Sequence, residues 1–475
     1  MDTIPHVIDG DARLSADGRT FESVNPATRA PWAQVAHAGP ADVDAAVAAA
    51  RRAFDEGPWP RMSAPERAQH LHALADTIDA HAEDLARLDT TDMGKPITQS
   101  RGKDLPRAAH NFRFFADYAA MAADEALPMT GGHLAYTRYE PAGVVAAVSP
   151  WNFPLMLATW KVAPALAFGN TVVLKPAEQT PASCARLGLL AAEAGLPPGV
   201  LNVVHGFGPD DAGAWLTGHA GVDRITFTGE SRTGRAIMGA AAQRLVPVSL
   251  EMGGKGANLV FADADLEQAV DWSIKAIFTN AGQVCLAGSR LYVQRPVHSD
   301  FLAAFVERAE AMRLGDPLEE TTEIGPLASE EHHRKVTGYL DLAPEEGGKV
   351  LCGGPAEGWW VRPTVIVDAD PAGRLCREEV FGPVVVVAPF DDEADAVARA
   401  NDTPYGLNAM LFTENLRRAH RVAAALRAGT VWVNCFFVRD LRAPFGGVGD
   451  SGIGREGGRY SREFFTEPKA VVVEP

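Results

Sequence analysis

Apolar positions along the chain recur at two periods, and the change between them divides the sequence. Over 63–93, Leu71, Leu74, Ile78, Leu85 and Leu88 fall at helical steps behind a Ser63/Glu66 capping-box pair, which predicts one amphipathic helix. A second helical stretch, "DLPRAAHNFRFFADYAAMA", covers 104–122. After "YEPAGVVAAVSP" the pattern shortens into β-branched runs at Val144–Val148, Thr171–Leu174, Leu201–Val204, Arg224–Phe227 and Val246–Leu250. Helical segments near 155–167, 182–194, 209–217 and 231–242 separate them. Strand and helix alternating in this way predict an α/β chain with a parallel, doubly wound sheet. In such sheets ligands sit at the carboxyl ends of the strands, so chemistry is expected in the turns that follow them. A second α/β region starts near residue 255, and the tail "KAVVVEP" reads as a strand that either packs on its own domain or pairs with another subunit.

Length changes this picture first: 475 residues exceed one compact core and imply two or three domains. The 44 basic and 61 acidic side chains leave a net charge of −17, which argues against nucleic acid or an anionic membrane as partner. An anionic small molecule is still admissible, since it needs only local positive charge. No apolar run approaches the ~18 residues of a membrane span. The five cysteines (Cys184, Cys285, Cys352, Cys376 and Cys435) show no CxxC spacing, so neither a disulfide framework nor a metal site is expected. Asp and Gly interrupt any signal-peptide core in "MDTIPHVIDGDARLSADG", and a cytoplasmic location is expected.

Three glycine-rich segments compete as phosphate loops. "GGVGDSG" (446–452) contains a literal G-x-G-x-x-G, but too little chain follows it for a crossover helix and second strand, so it reads as a decoy that shapes a tight loop. "HGFGPDDAG" (205–213), with Gly208, follows a strand and opens a helix. "ITFTGESRTG" (225–234) is the stronger candidate, because strand Ile225–Phe227 runs into a helix N-terminus near Gly229, Glu230 and Ser231, where unsatisfied N–H groups suit a pyrophosphate. A purely structural turn stays open for either. Lys175 and Glu178, in "VVLKPAEQTP", sit just past a strand end; a carboxylate there accepts from ribose hydroxyls and repels a 2′-phosphate, favouring NAD over NADP.

"NAGQVCLAGSR" (280–290) puts Cys285 among small residues, bracketed by Gly282 and Gly288. Small neighbours allow a substrate carbonyl or another backbone to come close; a small apolar core residue is the plainer alternative. Together with "SPWNFP" (149–154) and "LEMGGK" (250–255), the segment supplies a thiol, an amide and a carboxylate, the groups needed to oxidise an aldehyde through a covalent thioester. With "LKPAEQTP", "FTGESRTG", "EEVFGPV" and "PFGGVGDSGIGRE" in order, the chain resembles the aldehyde dehydrogenase superfamily from "VNPAT" (24–28) to "SGIGREGG" (451–458).

The resemblance implies a Rossmann-type NAD-binding domain over 1–122 and 142–253, an α/β catalytic domain over 254–448, and a small β oligomerisation element from 123–141 and 460–475, with homodimers or homotetramers as the family's habit. It implies Cys285 as nucleophile, Asn152 as oxyanion donor, Glu251 as general base, and Lys161 with Glu456 as a proton relay. Trp151, Lys175, Glu379 and Phe381 are implied as cofactor contacts. Met252 and Glu230 are mild departures from the family's commoner residues.

Substrate is read from "VNCFFVRDLRAPFGG" (433–447) and "DLPRAAHNFR", whose Arg439 and Arg107 are implied to border the substrate tunnel and suit a carboxylate at the far end of the aldehyde. Arg442 reads as a surface residue. These loops resemble the branch acting on 2-hydroxymuconic and 2-aminomuconic semialdehydes in aromatic catabolism, the hydroxy substrate being favoured. A broad aliphatic, betaine or succinic semialdehyde dehydrogenase is the alternative within the class; a thiol esterase or a non-catalytic binding protein are the alternatives outside it.

Overall fold

Strands form at the β-branched runs because those runs are apolar on both faces and covered on both; Val144, Val145, Ala146 and Ala147 are fully buried. In the computed structural model, which describes residues 3–474, β1 (Val144–Val148), β2 (Thr171–Lys175), β3 (Leu201–Val203), β4 (Arg224–Thr228) and β5 (Val248–Glu251) lie side by side in the order β5–β4–β1–β2–β3, all parallel. Antiparallel edges complete an eight-stranded sheet: Gly452–Ile453 beside β5, and His6–Ile8 with Asp11–Arg13 beside β3. The chain runs outward from β1 to β3 and then returns to β4 on the other flank. Strand order therefore reverses between β1 and β4, which opens a crevice at their carboxyl ends.

The second region holds β6 (Ala257–Val260), β7 (Arg290–Gln294), β8 (Lys349–Pro355), β9 (Val361–Val367), β10 (Val384–Phe390), β11 (Asn408–Phe412) and β12 (Thr430–Val433). Their order is β8–β9–β10–β7–β6–β11–β12, parallel except for β8. The tail strand Thr466–Val473 pairs antiparallel with Leu134–Pro141 of its own chain over all eight residues, and Ala126–Pro128 pairs with the far side of that strand. Among the described residues no helix is long and apolar enough to cross a membrane.

One expectation is corrected, and one sheet has no counterpart among the expectations. The helical stretch expected over 63–93 is two helices, Ala64–Ala80 and Ala82–Met93, joined at His81, whose backbone leaves the helical region (φ −107°, ψ 15°). The apolar period continues across the joint because both helices bury the same side, with Leu71, Leu74, Ile78 and Leu85 fully buried; periodicity alone does not reveal a break that keeps the phase. The three-stranded sheet of Thr3–Ile4, Thr20–Asn25 and Ala30–Ala36 was not foreseen, its strands being too short and interrupted for an alternation to register. The Ser63–Glu66 capping box is formed, with the Ser63 N–H donating to the Glu66 carboxylate at 2.7 Å.

Two helices aim the site. α1 (Leu105–Met121) packs on α2 (Pro154–Ala167), which follows β1 directly, and Phe112, Phe115, Leu155 and Val162 fill the space around them. Fully buried Asn170, in the turn after α2, donates to the carbonyls of Ala165 and Phe465 and accepts from the Gly143 N–H. It ties the parallel sheet to the C-terminal helix. Asn170→Ala strands several buried polar groups at once, each costing about 1–3 kcal/mol; the midpoint of chemical denaturation is expected to fall by the equivalent of about 2–4 kcal/mol, and Asn170→Asp, which sets a buried carboxyl against the Ala165 and Phe465 carbonyls, is expected to lose at least as much.

Candidate active site

Asn280, Ala281 and Gly282 have consecutive left-handed backbones (φ 53°, 51° and 70°) immediately ahead of Cys285. Such a turn costs about 1–2 kcal/mol per non-glycine residue, and buried amides hold it. Asn280 Nδ2 donates to the Asn152 carbonyl at 2.9 Å, Gln283 Nε2 donates to the Asn280 carbonyl at 3.0 Å, and Gln283 Oε1 accepts from the Ala328 N–H at 3.0 Å. Asn152 Nδ2 in turn donates to the Gln283 carbonyl at 2.9 Å. Its second hydrogen remains for a ligand. A Cβ on Gly282 would lie 2.1 Å from the Gly382 carbonyl oxygen, and one on Gly288 would lie 2.8 Å from Met410 Cε. The two glycines that bracket Cys285 thus admit the protein's own backbone and side chains. Cys285 is half-buried, and removal from water, with Glu379 and Glu251 nearby, pushes its thiol up to about 12 while Arg439 pulls the other way.

Glu251 ends β5. It is buried, and neither carboxylate oxygen has a partner within the protein. Burial first, and the neighbouring Glu456 second, raise it well above the usual carboxylate range; Lys161, Arg439 and Arg455 act against that. Lys161, fully buried on α2, donates from Nζ to Glu456 Oε1 at 3.0 Å and to Thr226 Oγ1 at 3.1 Å. The literal G-x-G-x-x-G segment forms the wall here: a Cβ on Gly446 (φ +149°) would lie 2.6 Å from Glu251 Oε1, and Gly452 pairs with Glu251 in the sheet. It is a loop against a carboxylate.

The crevice between β1 and β4 carries the residues expected to bind a cofactor. No side chain caps the helix Ser231–Ala242, so its first-turn N–H groups face outward beside Gly229, whose own N–H donates to the Glu251 carbonyl. Glu230 is its N-cap residue, and Ser231 Oγ donates to the Asp450 carbonyl. At the end of β2, buried Lys175 lies 3.3 Å from Glu178. Gly208 sits in the turn closed by Asp211, which accepts from the Phe207 and Ala212 N–H groups. On the other flank Trp151 meets Phe381 edge-on, with ring centroids 5.3 Å apart, and His332 packs against both. Burial lowers His332 to about 3, so it is neutral, and its Nε2 donates to the Phe381 carbonyl at 2.8 Å. Glu379 accepts from the Gly254 N–H at 2.8 Å, and burial raises it to about 7. An uncapped helix end, a lysine–carboxylate pair and a separate aromatic–carboxylate cluster fit a dinucleotide with a central pyrophosphate.

Beside the thiol loop lies a cavity of about 220 Å³ lined by α1, α2 and the 433–447 loop, including Arg107, Asn111, Phe153, Trp160, Phe436 and Arg439. The Arg439 guanidinium lies 3.7 Å from the Phe445 ring centroid and 4.9 Å from that of Trp160. Burial, with Arg107 adding like-charge repulsion, lowers it to about 10. Arg107 Nε donates to Asn111 Oδ1 at 3.2 Å. Neither arginine meets a carboxylate among the described residues. Exposed Arg442 is paired with Asp440 at 2.6 Å, as the surface reading expects. Cys184 and Cys352 are buried, and Cys376 and Cys435 half-buried, all free.

Sequence reasoning gave Asn280, Gln283, His332 and Asn111 no role. The first two carried a signal: long amide side chains inside a run of small residues, where nothing but a defined turn needs them. His332 and Asn111 carried none, because the partners that fix them, Trp151 and Phe381 for one and Met156 and Thr159 for the other, lie far off in sequence.

A family model described as the aldehyde dehydrogenase family matches residues 14–471. The chain is 50% identical over 486 residues to a 2-hydroxymuconic semialdehyde dehydrogenase of Pseudomonas sp. (strain CF600), covering 100% of both chains. It is 46% identical over 475 residues to a 2-aminomuconic 6-semialdehyde dehydrogenase of Pseudomonas sp., covering 98% and 96%. Among solved structures, the NAD+ complex of an aldehyde dehydrogenase from Bacillus cereus superposes with a TM-score of 0.97 at 43% identity, covering 99% and 96%.

Because Glu456 raises Glu251 and Lys161 lowers it, the two partners make opposite predictions. In Glu456→Gln, Glu251 is expected to ionise at lower pH; in Lys161→Met, at higher pH. The carboxyl stretch in infrared titration, with Glu251→Gln as the blank, reads both.

Proposed function

The chain belongs to the aldehyde dehydrogenase family, and from that premise we propose that its substrate is 2-hydroxymuconic semialdehyde, oxidised at the aldehyde to the dicarboxylic acid with NAD. The observation that carries the substrate reading is the pair of arginines, Arg107 and Arg439, lining one cavity with no carboxylate paired to either among the described residues. Of two hydroxymuconic relatives, one at 50% identity exceeds and one at 46% equals the aminomuconic relative, and the first supports hydroxyl over amine.

On this reading the Cys285 thiolate attacks the aldehyde carbon and forms a thiohemiacetal. The free N–H of the Asn152 amide and the Cys285 backbone N–H hold its oxyanion. Uncapped N–H groups at Ser231, with Lys175 and Glu178, would hold the pyrophosphate and adenosine end of the cofactor; Trp151, Glu379 and Phe381 would hold the nicotinamide end. NAD, when bound, would supply the hydride acceptor that oxidation of the thiohemiacetal to a thioester requires. Glu251 then takes a proton from water as that water attacks the thioester, which frees the acid and the thiol. Both of its oxygens lack protein partners, so either is available to the water. Lys161 and Glu456, linked at 3.0 Å, give the proton a route away from Glu251 through the interior. The free cysteines support a cytoplasmic location. The sheet of Leu134–Pro141 and Thr466–Val473, with Leu134, Val472 and Val473 exposed, supports assembly into a homodimer or homotetramer.

Glu251→Gln is expected to yield a burst of NADH of about one per active site followed by turnover slowed by about 10²–10⁴, while Cys285→Ser yields no burst. A steady rate near wild type in Cys285→Ser overturns the thioester route. For the substrate, Arg439→Ala is expected to raise KM for the semialdehyde acid by the equivalent of about 1.5–3 kcal/mol, the range for hydrogen bonds to a charged group, and to change KM for a neutral aldehyde of similar size far less. Equal effects on both aldehydes rule out carboxylate recognition.

A further inference from the structure

The cavity holds two more cations than the chemistry above uses. Lys103, in the Ser100–Asp104 turn that leads into α1, and Lys275, on the helix Leu266–Phe278, also line it, and both are exposed. Neither pairs with a carboxylate among the described residues, although Arg101, two residues before Lys103, meets both Glu83 and Glu320. Lys275 Nζ rests 4.8 Å from the ring centroid of Trp272, another lining residue. The one acid in the lining, Asp104, is buried against Lys95 and so already neutralised. Exposure falls from the lysines, through half-buried Arg107 and Arg439, to buried Phe153 and Phe436. The lysines are therefore the rim and the arginines the interior.

A chain of net charge −17 repels anions over most of its surface, so an anionic aldehyde must find a local exception. We propose that Lys103 and Lys275 are specificity-determining residues that act at long range: they form a positive rim that concentrates anionic aldehydes at the cavity mouth without touching the reacting carbon. The inference rests on the proposed carboxylate-bearing substrate and extends it from recognition to capture. A low-dielectric cleft lined by one sign of charge focuses its field into solvent and can raise capture of an opposite charge by ten- to a thousandfold, an effect that salt screens. The screening length is about 30 Å at about 10 mM salt and about 8 Å at about 150 mM. Capture by the rim therefore has a salt signature that packing contacts lack.

The test is the Lys103→Gln/Lys275→Gln double variant of the full chain, followed by NADH formation with 2-hydroxymuconic semialdehyde and with hexanal at both salt concentrations. Wild type is expected to lose kcat/KM for the anionic aldehyde as salt rises. The double variant is expected to lose about fivefold at low salt, to show a flattened salt response, and to keep its kcat. Hexanal kinetics are expected to shift less than twofold, and Lys103→Glu/Lys275→Glu to deepen the loss for the anion alone. An undiminished low-salt kcat/KM in the double variant, or an equal loss for hexanal, overturns the rim. Failure of the substrate reading looks different: wild type itself then shows neither preference for the anionic aldehyde nor salt dependence.

Discussion

The hydrogen bond from Asn152 to the carbonyl of Gln283 holds the rest of the site in place. It joins the turn after β1, in the parallel sheet, to the loop that carries the thiol. The return bond from Asn280 to the Asn152 carbonyl makes the link reciprocal. Two residues from this link sits Cys285, so the position of the sulfur relative to the crevice is set by side-chain amides whose own partners are backbone. Three left-handed residues in succession store strain that a free loop would release. The buried amides keep it, and a donor for a developing oxyanion is left over as a consequence. Rigidity at this junction is what electrostatic stabilisation of a tetrahedral adduct requires, since donors that must reorganise lose their advantage.

Around that junction, charges are arranged with little water to screen them. Glu251 favours its neutral form because it is buried beside Glu456, and the Cys285 thiol does so because it is withdrawn from water near Glu379 and Glu251. Lys161 and Arg439 offset this for Glu251, and Arg439 does so for the thiol. A carboxylate bound to Arg439 alone would cancel that help at the moment of attack. Arg107 close by changes the balance, because two guanidinium groups facing one carboxylate leave net positive charge behind. On the proposed reading, pairing the arginines allows one group of cations both to recognise the substrate and to favour the thiolate.

Most of the parallel sheet was legible because a strand buried on both faces is written as a continuous β-branched run; Val144–Val148 and helix 231–242 were placed to the residue. The break at His81 was not, because it preserves the apolar phase. At the site, Glu251, Lys161 and Glu456 lie together as expected, and the 446–452 glycines form the wall beside Glu251 instead of a phosphate loop. What composition could not convey was the reason for smallness near Cys285. Gly282 and Gly288 are filled up by Gly382 and Met410, so small residues there record the density of packing. His332 and Asn111 stayed silent for a related reason: each owes its placement to a contact made across the fold, with Trp151 and Phe381 in one case and with Met156 and Thr159 in the other.

The same charge pattern bears on how an acid product leaves. Oxidation turns a neutral aldehyde into a second carboxylate, and it does so beside Glu251, Glu456 and the sulfur of Cys285, all of which are negative or able to become so. On the proposed reading the distal carboxylate stays with Arg107 and Arg439, which line the same cavity. A substrate with one anionic end therefore fits the electrostatics of the site along its whole length, whereas its product fits at one end and is repelled at the other. Desolvated like charges repel strongly, so the enzyme need not loosen its arginine grip to release product; the chemistry itself creates the opposing force. A neutral aldehyde gains no such grip at its far end, and its acid product feels the repulsion alone. On the proposed reading, the arginine pair separates substrates by recognition, and the buried carboxylates separate substrate from product by charge.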